Sequence, residues 1–161
     1  MTQQDQSSRH AVGQQLSFAL YGAANRMVRA HKPYLAPLGL TFPQYLALLE
    51  LYSGTPRSVG ELGEKLGMDT GTITPLVKRL EALGMVTRTR DPRDERRVLV
   101  DLTPDGEAIR EDVWRVVEQV DALCESPEFD LDELRDLLDS LVRPSGFPAA
   151  DRAANSKGKQ Q

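Results

Sequence analysis

Cysteine and long apolar runs are the scarcest features of this 161-residue chain. It has one cysteine, Cys124, which excludes a disulfide within the chain. The N-terminal residues MTQQDQSSRH lack the apolar stretch of a signal peptide, and no apolar run is long enough to span a membrane. We therefore expect a cytoplasmic protein without a membrane partner.

Motifs for metal, phosphate and nucleophilic chemistry are also missing. No CxxC or HExxH pairing is present, and the glycines of GLGMDTGT do not follow a phosphate-loop pattern. A hydrolase triad of Ser17, His31 or His10 and a carboxylate can be imagined, but no nucleophile-elbow sequence accompanies it. We expect no cofactor, no metal and no catalytic residue, and keep a hydrolase as an alternative.

The chain is acidic overall, but its charges are unevenly placed. The formal net charge is -4 and the pI about 5.2, which would count against nucleic-acid binding if the charge were evenly spread. Residues 78–97 nevertheless contain seven Lys or Arg residues against four acidic ones, whereas residues 121–139 contain eight acidic residues and Arg135. The sequence predicts an acidic body that carries a locally basic segment.

Helical periodicity predicts helices on both sides of a central segment. The first begins near His10 and should end at the prolines 33 and 37, and the second runs from about Pro43 to Tyr52. Residues 1–9 and 143–161 have no such periodicity and are expected to form a flexible leader and a disordered tail. A single domain over 10–142 is left, as the length of the chain suggests.

Two further helices are predicted after residue 103. Thr103-Pro104 should cap a long helix whose apolar positions step by four, three, four and three, namely Ile109, Val113, Val116, Val120 and Leu123. Periodicity cannot distinguish a core-facing seam from a dimer contact. A capping box from Asp130 to Glu133 should begin the last helix, which ends near Val142.

Residues 58–103 predict two short helices and a β-hairpin. Ser58 and Glu61 have capping-box spacing for a helix to about Gly67, and the next helix begins at Asp69 or Thr74, with local rules favouring Thr74-Pro75. Its buried side is predicted as Ile73, Leu76, Val77, Leu80 and Leu83, and its outer side as Thr72, Thr74, Pro75, Lys78 and Arg79.

After Gly84, the segments MVTRTR and VLVDL alternate as strands, joined by DPRDER as the turn. The order helix, helix, strand, strand is that of a winged helix-turn-helix. The predicted fold class is therefore mainly α with a small β-hairpin (α+β), and this unit favours DNA binding because a helix and a basic hairpin fit adjacent grooves.

Three blocks of the sequence resemble the MarR family of bacterial transcriptional regulators, and more narrowly its organic-hydroperoxide-sensing, OhrR-like branch. They are LSFALYGAANRMVRAHKPYLAPLGLTFPQYLALLELY, VGELGEKLGMDTGTITPLVKRLEALGMVTRTRD and DERRVLVDLT, and the resemblance covers about residues 10–142. It implies a homodimer, with dimerisation helices from 10–36 and 104–142, that binds an inverted-repeat operator in double-stranded DNA as a repressor. The seam after Thr103 is then expected at the dimer contact.

The resemblance also implies which residues contact DNA. The helix from near Asp69 to Leu83 would read the major groove, and Arg96, oriented by Asp94, would enter the minor groove. The predicted DNA-binding residues are Thr70, Thr72, Thr74, Pro75, Lys78, Arg79, Arg88, Arg90, Asp94 and Arg96. Two alternatives stay open: a solvated turn of exposed ion pairs, and a winged-helix protein-interaction module without DNA binding.

The first helix departs from the peroxide-sensing pattern. Such relatives carry a reactive cysteine within LCFALY, whereas this chain has Ser17 within LSFALY, and a hydroxyl cannot be oxidised to a sulfenic acid. His31 and Phe42 stand where those relatives place tyrosines that bind the thiol. We hypothesise a small-molecule pocket for an aromatic or phenolic effector, lined by Ser17, Tyr21, His31, Phe42 and Tyr45. Ordinary packing of these residues is the alternative.

Two questions stay open at Ser17 and Cys124. Ser17 reflects either natural divergence or an engineered replacement of cysteine that imitates the reduced form of a peroxide sensor. Cys124 is the remnant of a second, disulfide-forming cysteine, the surviving half of a mutated pair, or a buried small apolar residue.

Overall fold

The structure, a computed structural model, describes residues 11–125 and 127–141. A short 3-10 turn, Val12–Gln14, precedes the first helix, and a second one, Ala36–Leu38, follows it. The helices and strands, in chain order, are α1 Leu16–Leu35, α2 Phe42–Ser53, β1 Arg57–Ser58, α3 Val59–Leu66, α4 Thr70–Ala82, β2 Val86–Asp91, β3 Asp94–Leu102, α5 Pro104–Ala108, α6 Arg110–Cys124 and α7 Leu131–Ser140. The predicted leader, His10, Val142 and the predicted tail lie outside the described residues.

Helix α1 differs from the prediction at both ends. It begins at Leu16, after a 3-10 turn, rather than near residue 10, and it continues through Pro33 to Leu35. Pro33 lies in the last turn, where the missing amide removes one hydrogen bond but the chain turns soon afterwards. The reversal is made at Gly39, whose φ of 66° is in the left-handed region, and the Leu40 amide donates to the Leu35 carbonyl at 3.2 Å.

Helices α2 and α3 confirm the predictions to within about a residue. The Ser58 amide donates to Glu61 Oε2 at 2.7 Å, and the Glu61 amide donates to Ser58 Oγ at 3.2 Å, so the predicted capping box is present. Gly67 ends α3 with a φ of 63°. The local pattern of polar residues therefore sets both ends of α3.

Helix α4 begins at Thr70, so the preference for a start at Thr74 was wrong and Asp69 is the cap. Asp69 Oδ1 accepts a hydrogen bond from the Thr72 amide at 2.8 Å, and Pro75 is accommodated inside the helix. The earlier start makes Ile73 part of the helix, and its buried side chain packs beside Gly63 of α3. Leu83, predicted to be buried, is 45% exposed because the helix has ended and Gly84, with a φ of 76°, turns the chain.

The sheet has three strands in the order β1-β3-β2, all antiparallel. The sequence did not predict β1, whose two residues pair with Val100 and Leu99 of β3. The hairpin turn is also tighter than predicted, because β3 begins at Asp94 and leaves Pro92 and Arg93 between the strands. The DPRDER turn was therefore too long, and its last residues belong to a strand.

The long helix predicted after Thr103 is broken at Ile109 into α5 and α6. The Thr103 cap is confirmed, since its Oγ1 accepts from the Gly106 amide at 3.0 Å. At the break, the Tyr52 hydroxyl donates to the Gly106 carbonyl at 2.7 Å. The Arg110 guanidinium lies 4.9 Å from the centre of the Tyr52 ring.

The predicted seam of the long helix faces the core of its own chain. Val113, Val116 and Val120 are buried without a partner chain, whereas Leu123 is 61% exposed. The expectation of a seam devoted to dimer contacts was therefore wrong for the three valines. They belong to the same buried cluster as Leu48, Leu51, Leu62, Leu80 and Val100, and α6 packs mainly against α1 and α2.

Helix α7 contributes little to this core. Asp130 caps it by accepting the Asp132 and Glu133 amides at 2.8 and 3.0 Å, as predicted. Leu134, Leu137 and Leu138 of this helix, and Leu141 directly after it, are exposed in the single chain, whereas Leu131 is half-buried. No helix among the described residues is long and apolar enough to cross a membrane.

Gly106 provides a test of how the β2–β3 hairpin, the wing of the winged helix-turn-helix, packs against helix α5 that follows it. It is buried, and a β-carbon there would overlap the Met85 backbone carbonyl, which cannot move without shifting β2. Gly106→Ala should lower the free energy of unfolding by about 1–3 kcal/mol, measured by urea denaturation. Gly60→Ala is the control, because the helical, exposed Gly60 has space for a methyl group and its replacement should be neutral or slightly stabilising. Equal stabilities of the two variants would contradict this packing.

Candidate nucleic-acid interface

A groove lies between α4, the second helix of the helix-turn-helix, and the β2–β3 hairpin. Its volume is about 420 Å³, and it is bounded by the start of α3, the first turns of α4 and both hairpin strands. The side chains that line it are Ser58, Val59, Gly60, Thr70, Ile73, Thr74, Arg88, Arg96, Arg97 and Val98. Hydroxyl groups of α4 and guanidinium groups of the hairpin therefore face one space, with an apolar floor.

The outer face of α4 is polar, as the sequence predicts. Thr70, Thr72, Pro75, Lys78 and Arg79 are exposed, and Thr74 is half-buried at the edge of the groove. Within the described part of the chain, neither Lys78 nor Arg79 has a carboxylate within ion-pair distance. This face can therefore offer hydroxyl donors and two positive charges to an anionic partner.

Arg96 projects from the hairpin beside Asp94. Its Nε lies 3.2 Å from Asp94 Oδ1, and its backbone amide donates to the same oxygen at 3.1 Å. The side chain is still 91% exposed, so the carboxylate orients the guanidinium without covering it. The geometry that the resemblance implies for Asp94 and Arg96 is present, while the role in the minor groove stays a prediction.

Other hairpin arginines differ in their partners. Arg88 donates through Nε to Glu81 Oε2 at 2.8 Å, and Arg97 donates to Glu61 Oε1 at 3.2 Å. Arg90 and Arg93 have no carboxylate within ion-pair distance among the described residues. This division cannot be predicted from the sequence, because the partners of Arg88 and Arg97 lie on helices that only folding brings near.

Both carboxylate oxygens of Glu61 accept hydrogen bonds. One carboxylate oxygen accepts the Ser58 amide, and the other accepts from Arg97. The hydrogen bonds from Ser58, with smaller contributions from Arg97 and Arg57, lower the pKa of Glu61 below its usual value of 4.5. Glu61 is therefore ionised at neutral pH and fixed to the first turn of α3.

Three of the five predicted pocket residues meet between α1 and α2. The His31 ring lies 4.7 Å from the Phe42 ring and 5.3 Å from the Tyr45 ring, centre to centre, and His31 Nδ1 is 2.8 Å from the Met27 carbonyl. Burial, with a smaller contribution from Asp121, raises the pKa of Tyr45 to about 12, so its hydroxyl stays neutral.

Ser17 and Tyr21, the other two, are exposed on α1, Tyr21 by 68%. Within one chain they are open to solvent rather than closed into a cavity. Cys124 is half-buried against the core, and its role stays open. Among residues 11–125 and 127–141 no group of His, Cys, Asp and Glu side chains could hold a metal ion.

Helix α4, the groove and the basic hairpin together form a winged helix-turn-helix. This arrangement defines a DNA-binding class of protein. Residues 38–97 match the model of the MarR family. The chain is 40% identical, over 128 residues, to the organic hydroperoxide resistance transcriptional regulator of Bacillus subtilis strain 168, a match that covers 80% of this chain and 87% of that protein. The chain belongs to the MarR family and is a DNA-binding transcriptional regulator.

Solved structures agree with this conclusion. The structure of reduced AbfR bound to DNA, a protein of Staphylococcus epidermidis, is similar with a TM-score of 0.71 and 30% identity, over 88% of this chain and 94% of that one. CouR of Rhodococcus jostii RHA1 bound to p-coumaroyl-CoA is similar with a TM-score of 0.69 and 27% identity, over 81% and 94%. Because the chain belongs to the MarR family and its Bacillus subtilis relative is a transcriptional regulator, the hydrolase and the protein-interaction module without DNA binding are set aside.

Proposed function

We propose that this regulator is a homodimeric repressor that binds an inverted-repeat operator and is released by a small aromatic or phenolic molecule. The groove between α4 and the hairpin carries the proposal, because it combines the hydroxyl-bearing turns of α4 with the exposed guanidinium of Arg96. Helix α4 would lie in the major groove and Arg96 in the adjacent minor groove. Since the proposed ligand is chromosomal DNA, the site of action is the cytoplasm.

The local charge of this surface outweighs the acidity of the chain. Phosphate contacts depend on the positive side chains within reach of the duplex, not on the net charge of -4. Lys78, Arg79, Arg90 and Arg93 have no carboxylate at ion-pair distance in the described structure, and Arg96 is exposed. The acidic residues after 121 follow the hairpin by more than twenty positions and belong to α6, α7 and their connection.

Exposed apolar residues support a dimer. Twelve of the fourteen large apolar side chains exposed among the described residues lie before residue 29 or after residue 122, namely Val12, Leu16, Phe18, Tyr21, Met27, Val28, Leu123, Phe129, Leu134, Leu137, Leu138 and Leu141. A monomer rarely exposes so much apolar surface in two segments of its chain unless that surface binds a partner. A second copy of the chain is the occupant proposed here, and a dimer of two identical wings matches an inverted repeat. Such a dimer on a promoter would block the polymerase.

The aromatic side chains of Phe42 and Tyr45 beside His31 support the proposal of a small aromatic or phenolic effector. Phe42 and Tyr45 offer apolar walls, and His31 and the neutral Tyr45 hydroxyl offer polar atoms, as ligand pockets commonly combine them. The relative CouR was solved with an aromatic thioester. At Ser17 the chain has a hydroxyl in place of the reactive thiol, so the proposed signal binds rather than oxidises the protein.

A salt-titrated binding measurement tests DNA recognition. The probe is a duplex that the wild-type chain selects from a random-sequence pool, and fluorescence anisotropy gives the affinity. We expect affinity to fall steeply as salt rises, with a slope of about -0.9 for each phosphate contacted. Absence of binding at low salt would refute the proposed DNA recognition.

In the same titration, Arg96→Ala should weaken binding by about 1–3 kcal/mol, because its guanidinium would contact base edges or a narrow minor groove. Arg115→Ala is the matched control: Arg115 is also exposed and paired with an aspartate, at 2.7 Å from Asp112, but it lies on α6. Equal affinities of the two variants would remove Arg96 from the interface.

Sedimentation equilibrium tests the dimer. At micromolar concentration the wild-type chain should have about twice its mass of 17.9 kDa. Leu137→Glu should shift the equilibrium to monomer, because it places a charge on the exposed apolar face of α7, where Leu137 is 66% exposed. Leu83→Glu is the control, because Leu83 is also exposed but follows α4, far in sequence from α1 and α7. This variant should keep the sedimentation mass of a dimer. A monomeric wild-type chain would contradict the proposal.

Release from the duplex tests the signal. A panel of aromatic acids and phenols should contain a compound that dissociates the complex, whereas an organic hydroperoxide should not. His31→Ala should reduce that release without changing the affinity for DNA in the absence of effector, and Phe42→Leu provides a milder change to the same walls. Peroxide-driven release that persists in Cys124→Ser would overturn the interpretation of Ser17.

A further inference from the structure

Two arginines of the hairpin are bound to the two helices of the helix-turn-helix. On β2, Arg88 donates to a single oxygen of Glu81 in the last turns of α4, through Nε at 2.8 Å and Nη2 at 2.7 Å. On β3, Arg97 donates to Glu61 of α3 at 3.2 Å and lies 3.9 Å from Asp91. Each strand of the hairpin is therefore tied to a different helix by an ion pair.

Arg88 is poorly placed to bind a phosphate. Its side chain is 27% exposed, against 91% for Arg96, and two of its donors are already directed at Glu81. A phosphate at Arg88 would also lie close to the Glu81 carboxylate, which would repel it. This pairing argues against the direct DNA contact that is predicted for Arg88 from the sequence.

Arg97, on the other strand, also pairs with a helix carboxylate but is more exposed than Arg88, at 45% against 27%. It directly follows Arg96, so a change at Arg97 acts on the strand that presents the exposed guanidinium. Its partner Glu61 is held by the Ser58 amide at 2.7 Å in the capping box of α3. The Glu61 carboxylate therefore has a fixed position on α3, and its ion pair with Arg97 can orient β3 relative to that helix. Helices α3 and α4 and the hairpin form the walls of the groove.

We infer that Arg88 and Arg97 are positioning residues, which set the angle of the hairpin relative to α4 through Glu81 and Glu61 and do not themselves bind phosphates. The inference rests on the proposed engagement of one duplex by α4 and the hairpin together. Such half-exposed pairs contribute little to global stability. We expect the two ion pairs instead to increase the fraction of molecules in which α4 and the hairpin fit adjacent grooves of the duplex at the same time.

The sign of the effect at the carboxylate partners distinguishes positioning from direct contact. If the arginines position the hairpin, Glu81→Gln and Glu61→Gln weaken DNA binding, even though each removes a negative charge near the duplex. If the arginines bind phosphates, the same changes release them and strengthen binding. Glutamine at 61 keeps a carbonyl oxygen that can accept the Ser58 amide, so the cap of α3 is preserved.

The experiment measures the affinity of the full chain for the selected duplex at several salt concentrations. We expect Arg88→Gln, Glu81→Gln, Arg97→Gln and Glu61→Gln each to weaken binding about threefold to tenfold, and each double variant (Arg88→Gln with Glu81→Gln, Arg97→Gln with Glu61→Gln) to be no weaker than its single variants. The salt slope should equal that of the wild type. Hydroxyl-radical footprints should lose protection at the flanking minor groove and keep it in the major groove.

Two matched controls calibrate the measurement. Arg90→Gln, two residues from Arg88 on β2, should flatten the salt slope by about 0.9, as expected for the loss of one phosphate contact. Glu64→Gln, one turn after Glu61 on α3, removes a charge that pairs with no hairpin arginine in the described structure and should not weaken binding. Thermal unfolding by circular dichroism checks that all variants fold.

Several outcomes would overturn the inference. They are stronger binding of the glutamine-for-glutamate variants, a flattened slope in Arg88→Gln or Arg97→Gln, additive losses in the double variants, and unchanged affinity in all four single variants. If the wild-type chain binds and any of these is seen, the inference fails and the proposed DNA recognition stands. If the wild-type chain does not bind, both fail.

Discussion

The close approach of α3 and α4 at Gly63 is the constraint on which the rest of the DNA-binding unit depends. A β-carbon at Gly63 would lie 2.8 Å from the Met68 carbonyl oxygen and 3.2 Å from Ile73 Cγ2, so only glycine allows this contact. The Met68 amide donates to the Gly63 carbonyl at 2.8 Å, which closes the turn between the helices. Ile73 is thereby buried, and the direction of α4 is fixed relative to the core before any DNA contact is made.

Given that direction, the hairpin arginines divide into two sets. Arg88 and Arg97 have carboxylate partners on α4 and α3, whereas Arg96 is exposed beside Asp94, and Arg90 and Arg93 have no ion-pair partner in the described structure. An acidic protein can bind a polyanion when its unpaired positive charges are concentrated on one surface. The paired arginines matter in the same way as the capping boxes do, because they fix the geometry in which the unpaired ones are presented.

Local signals predicted much of this fold from sequence. The capping box at Ser58 predicted the start of α3, and the glycines after α3 and α4 predicted where both helices end, because each signal involves residues a few positions apart. Where the outcome depended on distant partners, the sequence was misleading. Thr74-Pro75 is a good helix start in isolation, but burying Ile73 against α3 favours the cap at Asp69. Likewise, Val113, Val116 and Val120 have the spacing of a dimer seam, yet they complete the core of their own chain.

The same distinction explains why the candidate interface was easier to predict than the pocket. Residues that contact DNA must be exposed and follow one helix face and one hairpin, so their positions are visible in the sequence pattern. The pocket residues come from different elements: His31, Phe42 and Tyr45 meet only because α1 packs on α2, while Ser17 and Tyr21 lie on a part of α1 that is exposed in the single chain. A second copy seated on the exposed face of α1 would cover these two residues. In that arrangement, the signal and the dimer would use the same helix, so that occupation of the pocket could alter the spacing of the two wings.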